Sequence, residues 1–133
     1  MIQRQLSVFL KNEPGVLARM CDALGSHGVN LRGLSVSDTV DHAVVRLVVD
    51  DPLKAIHILG EHGALVVETD VLAVKLEHKP GALAKLASRL ARAKINIEYA
   101  YGTADGGLAT IYLRVSDPVR AEQLLAPKKR QAK

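Results

Sequence analysis

The sequence predicts an α+β fold made of two consecutive β-α-β-β-α-β units, and three observations lead there. The segment Asn12-Glu13-Pro14-Gly15-Val16-Leu17-Ala18 returns 66 positions later as His78-Lys79-Pro80-Gly81-Ala82-Leu83-Ala84. The correspondence then runs on without a gap, pairing Leu24 with Leu90, Asn30 with Asn96, Ala43 with Ala109, Leu47 with Leu113, and Asp51-Pro52 with Asp117-Pro118. A repeat at fixed offset makes each copy one supersecondary unit. Within each copy the apolar pattern switches between period two and period 3.6, the signatures of strand and helix. Turn residues punctuate the switches.

Taken in order, Gln5 to Lys11 alternates and reads as a strand, with Leu6, Val8 and Leu10 on one face. Pro14 suits the first turn of a helix, where its missing N–H costs nothing, and Asn12 or Glu13 is placed to cap it. That helix runs to about His27, with Gly28 as its stop. Leu17, Met20, Cys21 and Leu24 share its core face, so the single cysteine reads as a buried thiol. Val29 to Ser37 is a second strand, interrupted near Gly33 where the alternation slips. Asp41-His42 turns into a third strand, Ala43 to Asp50. Asp51-Pro52 starts a second helix that ends near Gly63, and Ala64 to Glu68 is the fourth strand.

The second copy reads as strand Val71–Glu77, helix Pro80–Ala93, strand Ile95–Gly102, a hairpin at Asp105-Gly106-Gly107, strand Leu108–Val115 and helix Pro118–Leu125. Pro127 and the residues after it leave no obvious last strand, so this copy reads as truncated. The order is that of the ferredoxin-like plan, an antiparallel sheet with both helices on one face. The domain expectation is therefore a first repeat over 1–69, a second over 70–126, and a basic, disordered tail over 127–133. Only Thr69-Asp70 separates the fourth and fifth strands, too little for a flexible linker, so the modules are expected in a fixed relation. If Leu6, Val8, Val45 and Leu47 face the helices, Phe9, Val44 and Val48 project from the other side. A semi-apolar face and a missing edge strand both ask for a partner, and a homodimer is expected.

Charge and composition narrow the function classes. The net charge is +4, and Lys128, Lys129, Arg130 and Lys133 supply all of it, leaving residues 1–127 balanced. The aromatic residues are Phe9, Tyr99, Tyr101 and Tyr112, with no Trp, so there is little surface for stacking nucleobases. No helix-turn-helix or basic groove is evident, and nucleic acid is not an expected partner. No apolar run approaches a membrane span and the first residues lack a signal-peptide core, so a cytoplasmic protein is expected, with no membrane partner.

Catalytic chemistry finds little support. Of His27, His42, His57, His62 and His78, none forms a metal-ligand pair on a helix, since His57 and His62 are five apart. Cys21 has no activating cation beside it. Asp51 and Asp117 precede prolines at helix starts, where an N-cap accounts for both. Asp105-Gly106-Gly107 joins two strands and is a hairpin turn, not a phosphate loop. The expectation is no enzyme, no metal and no cofactor.

Four short pieces carry a resemblance. Asn12-Glu13-Pro14-Gly15-Val16-Leu17 precedes Gly28-Val29-Asn30-Leu31, and His78-Lys79-Pro80-Gly81-Ala82-Leu83 precedes Lys94-Ile95-Asn96-Ile97. In this order the chain resembles the ACT domain, twice over, and in particular its stand-alone tandem form. The resemblance implies a small module that senses an amino acid and regulates an enzyme of amino-acid metabolism. It implies a ligand site at an interface between modules, with the loop from one and the second-strand Asn from its neighbour. Carried over, Asn12, Glu13, Pro14, Gly15 and Val16 work with Asn96, and His78, Lys79, Pro80, Gly81 and Ala82 work with Asn30.

The chemistry of those residues agrees. A loop entering a helix presents free N–H groups at the positive end of the helix dipole, which favours a carboxylate. Gly15 and Gly81 remove the Cβ that would hold a ligand away. Asn can accept from an α-ammonium and donate to a carboxylate. Leu10 departs from the His or other polar residue that some serine-binding modules of the family carry just before this loop, which points to a different or more apolar ligand. Tyr99 and Tyr101 lie on one side of a strand and could wall a pocket, fill a core or meet a dimer partner. The alternative function is a ligand-free assembly module whose sheets pair with another polypeptide.

Overall fold

The computed structural model describes residues 1–38 and 41–126. Its elements are β1 (Ile2–Lys11), α1 (Val16–Ser26), β2 (Leu31–Asp38), β3 (His42–Val49), α2 (Pro52–Glu61), β4 (Leu65–Glu77), α3 (Ala82–Arg92), β5 (Ile97–Asp105), β6 (Leu108–Val115) and α4 (Pro118–Leu125). Every helix and every antiparallel pairing expected from the repeat is present. The chain forms two compact units, one of Gln3–Asp70 and one of Met1–Ile2 with the chain from Val71 onward. The proposed tail, 127–133, lies outside the described residues.

In the Gln3–Asp70 unit the strand order is β2-β3-β1-β4. β1 and β3 run antiparallel with Leu6 opposite Leu47 and Val8 opposite Val45. These four are wholly buried and form one cluster with Met20 and Leu24 of α1 and Ile58 and Leu59 of α2. The alternation thus put the right residues under the helices. On the opposite face Phe9 is 39% exposed, whereas Val48, Gln5 and Ser7 are buried. β2 slips register between Leu31 and Gly33, the bulge expected near Gly33. Cys21 is half-buried against the core and not enclosed by it, and Leu17 is largely exposed.

The other unit repeats the plan with β4, β6 and β5 in that order. Its cluster joins Leu72 and Val74 of β4, Leu86 and Leu90 of α3, Leu113 and Val115 of β6, and Ala121 of α4. Where a last strand is missing, the first residues of the chain stand in for it. The Ala73 N–H donates to the Met1 carbonyl at 2.8 Å, and the Ile2 N–H donates to Glu122 Oε2 at 2.8 Å. Ile2 also packs against the cluster. No strand need come from another chain at that point.

Two boundaries differ from expectation. β4 runs unbroken through Thr69-Asp70 as a single strand of 13 residues. The described residues therefore hold six strands, the fourth and fifth expected strands being one. The first helix of each repeat also starts later than its proline. Its N-cap is Gly15 or Gly81, not Asn12 or Glu13, and no side chain caps it. By contrast Asp51 and Asp117 cap as expected, accepting from the Lys54 and Arg120 N–H at 3.1 and 3.2 Å.

Candidate functional site

The Pro-Gly loops explain themselves through turn geometry. Gly15 has φ 86° and ψ −13°, and Gly81 has φ 87° and ψ −11°. With proline before the glycine, these are the angles of a type II turn, which needs positive φ at its third residue. The Val16 N–H closes the first turn on the Glu13 carbonyl at 3.4 Å, and the Ala82 N–H closes the second on Lys79 at 3.3 Å. The glycines are thus required by the backbone whether or not a ligand visits. The turn then leaves the amides of Leu17 and Ala18, or of Leu83 and Ala84, at an uncapped helix end with no acid in its first turn. Such an end attracts an anion.

Each loop is fastened to the neighbouring hairpin. The Asn12 N–H donates to the Asp41 carbonyl at 3.2 Å, and the His78 N–H donates to the Gly107 carbonyl at 2.8 Å. In the second repeat this arrangement leaves an open cleft of about 260 Å³ between the loop, the start of α3 and strands β5 and β6. Its rim is polar, with Glu77, His78, Lys79 and Thr103. The rest of its lining is apolar or small, from Leu76, Ala82, Leu83, Gly102, Ala104, Ala109 and Ile111, of which Ala109 alone is buried. Lys79 and Glu77 form an ion pair of 2.8 Å at the surface. Hydrogen bonding and then the charge of Lys79 lower the Glu77 pKa, and Glu77 raises that of Lys79 in the same way.

Of the loop residues singled out by the sequence, His78, Lys79 and Ala82 meet in this cleft, while Pro80 and Gly81 make the turn beside it. In the first repeat a cleft of about 350 Å³ lies on the helix side of the loop, where Glu13 and Val16 meet Leu10, Arg19 and His62. The second repeat has a helix-side counterpart of about 390 Å³, lined by Leu76, Lys79, Ala82, Lys85, Leu86 and Arg89, in addition to the cleft above. Asn12, Pro14 and Gly15 are exposed.

Asn30 and Asn96 sit elsewhere. Both are exposed at the start of an edge strand, and their backbones are tied to the end of the adjoining one. Asn30 N–H donates to Asp50 Oδ1 at 3.0 Å, and Asn96 N–H donates to Ser116 Oγ at 3.0 Å. Register places them at the far end of the sheet from their own loop. Lys11 faces His42 at one end of β3, and Leu31 faces Val49 at the other. Seven residues of strand separate those ends by about 23 Å. Neither unit by itself brings its loop and its Asn together.

The remaining polar groups have structural duties. The rings of His27 and His62 lie 2.8 and 2.9 Å from the carbonyls of Ala23 and Ile58 in the last turns of their helices. His57 pairs with Glu61 one turn along α2. Tyr101 stacks on Tyr112 at 5.4 Å, and neither lines the cleft, whose neighbouring wall residues Gly102 and Ile111 face the other way. No group of three metal-ligating side chains occurs among the described residues. No described helix is long and apolar enough to cross a membrane.

Sequence reasoning missed Gly102, Thr103, Ala104, Ala109 and Ile111. Part of their signal was available in the repeat itself, since β5 carries Gly102 and Ala104 where β2 carries Val36 and Asp38.

A family model described as ACT domain pair matches residues 1–132. Among solved structures, a protein from Bacteroides thetaiotaomicron is 33% identical with a TM-score of 0.90, over 94% of this chain and 87% of that one. The ligand-free regulatory subunit of aspartate kinase from Thermus thermophilus is 17% identical with a TM-score of 0.72, over 94% and 91%. Clostridium acetobutylicum aspartate kinase matches over 93% of this chain and 32% of its own, at 14% identity and a TM-score of 0.58. No curated protein matches.

Proposed function

This chain belongs to the ACT domain pair family, and from that premise we propose that it is a regulatory protein that binds a free amino acid and is not itself an enzyme. The observation that carries the proposal is the cleft of the second repeat. An uncapped helix end and the polar side chains of Glu77, His78, Lys79 and Thr103 stand beside apolar walls. That is the chemistry of a zwitterion joined to a side chain. The helix end contributes about 0.3–2 kcal/mol to binding an anion, whereas micromolar affinity needs about 8 kcal/mol. Most of the binding must come from the cleft walls and from a neighbouring module.

The residues proposed to act are the loops Asn12–Val16 and His78–Ala82, with Asn30 and Asn96 reaching a loop other than their own. A homodimer would supply that neighbour. The exposed edge strand β2 offers Leu31, Leu34 and Val36 for it, at 38%, 45% and 47% exposure. Ligand bound across such an edge stabilises one packing over another by its differential affinity, which a partner enzyme of amino-acid metabolism can read. The same exposed edge is what a ligand-free assembly module in the cytoplasm would use, and this is the second reading.

A thermal-shift screen against the twenty L-amino acids separates the two. Ligand at 100 times its Kd adds about 2.7 kcal/mol, or roughly 4–8 °C for a domain of this size. A rise confined to one amino acid or a related group supports the sensor. No rise for any of them, in a protein shown to be folded, overturns it in favour of the assembly role.

A further inference from the structure

We infer that the second repeat alone opens a cleft between its loop and its edge strands, that it takes one ligand per chain, and that the ligand is an amino acid with an aliphatic side chain. The inference rests on the amino-acid-binding function proposed above and narrows it.

The two repeats test each other position by position. Three small residues line the cleft of the second repeat, Ala82, Gly102 and Ala104. Sixty-six positions earlier stand Val16, Val36 and Asp38. Val36 lies opposite Val45, and Asp38 lies opposite Ala43, so both occupy the strand positions that Gly102 and Ala104 hold against Ile111 and Ala109. In the first repeat, then, a valine side chain stands where the second has none. A carboxylate stands where the second has a methyl group, and it would set a charge against the ligand's aliphatic chain.

Glycine at 102 is fixed by the sheet. A Cβ there would meet the Thr110 carbonyl oxygen at 2.4 Å and Ile111 Cδ1 at 2.6 Å. The close approach of β5 to β6 therefore keeps this wall free of a side chain.

The apolar walls decide the ligand's side chain. Leu76, Leu83, Ala109 and Ile111 present no side-chain donor or acceptor. An aliphatic chain laid against them removes apolar surface from water, whereas a hydroxyl, amide or charge gains no partner from them. The polar side chains lining the cleft are Glu77, His78, Lys79 and Thr103, where the α-carboxylate and α-ammonium would lie. A cleft of about 260 Å³ is below the roughly 300–1,000 Å³ of drug-sized sites, which suits one small amino acid.

The test is isothermal titration of the full chain with L-valine, L-leucine and L-isoleucine, beside L-serine, L-lysine and L-aspartate. The expected result is binding by an aliphatic member at one per chain, with the polar three at least tenfold weaker. Giving the second repeat the residues of the first, Ala82→Val with Ala104→Asp, should weaken that binding at least tenfold. If the double variant is not folded by circular dichroism, Ala104→Asp alone, on an exposed strand end, makes the same test. Two ligands per chain, a preference for a polar amino acid, or undiminished affinity in the variant overturns the inference and leaves amino-acid binding standing. No binding of any of the twenty by the folded wild-type chain overturns the proposed function itself, and this inference with it.

Discussion

Replacing Gly81 by alanine should destabilise the second repeat through its backbone alone. Gly81 sits at φ 87°, and an added Cβ would have no atom within 4 Å, so there is no clash to confuse the reading. What remains is the left-handed conformation, which costs an L-residue about 1–2 kcal/mol. Alanine also narrows the unfolded ensemble, which returns about 0.4–1 kcal/mol where the native angles suit it. The expected net loss is therefore about 1 kcal/mol. Urea denaturation followed by circular dichroism would read it as a lower midpoint at unchanged slope. Gly81→Asn should recover part of the loss, since Asn tolerates this region better. The same reasoning makes Gly→Asp substitutions here poor probes of ligand binding, because turn strain and carboxylate repulsion would arrive together. A Gly81→Ala protein as stable as the wild type would refute the type II turn as the reason for glycine. The ligand would then be left as the explanation.

Removing either aspartate cap, Asp51→Ala or Asp117→Ala, should cost about 1 kcal/mol, since each carboxylate accepts from the amide three residues on; chemical denaturation of the single variants measures it. Ile2→Asp should destabilise the second repeat, by taking a side chain from its cluster, and should leave amide exchange in the α1–α2 layer unchanged. The Glu77–Lys79 pair gives a pH dependence of known sign. The Glu77 pKa is lowered, so its contribution is present above the ordinary carboxylate value and is lost as pH falls through the depressed one. The Lys79 pKa is raised, so its contribution is present below the ordinary lysine value and is lost as pH rises through the raised one. In Lys79→Met the Glu77 carboxyl should titrate higher by NMR, and a carboxyl that does not move would refute the pairing.

The repeat made most of the fold readable, because each element was seen twice and errors in one copy were checked by the other. Leu6, Val8, Val45 and Leu47 were placed under the helices by alternation alone, and the bulge near Gly33 was visible as a slip in that alternation. The helix starts were misjudged because Pro-Gly serves equally as a first turn and as a type II turn, and only the φ of the glycine tells them apart. Asp70 suggested a break, being a poor strand former, yet the strand continues through it. The stand-in for the missing strand was invisible, since two residues have no periodicity to read. Of the site, the loop was legible and its walls were not. The loop is contiguous, whereas Gly102 and Ala109 come to it only through the sheet.

The use of Met1 and Ile2 in the second unit bears on how this molecule is made. These two residues are among the last to be placed, because their partners Ala73 and Glu122 follow by some 70 and 120 positions. Closing so long a loop is slow, so the Gln3–Asp70 unit should fold first and leave these contacts to form afterwards. A gene cut between the repeats would not yield two whole modules. The downstream piece would start at Val71 with a gap beside its first strand, and a short peptide beginning Met-Ile, added in trans, would be what fills it.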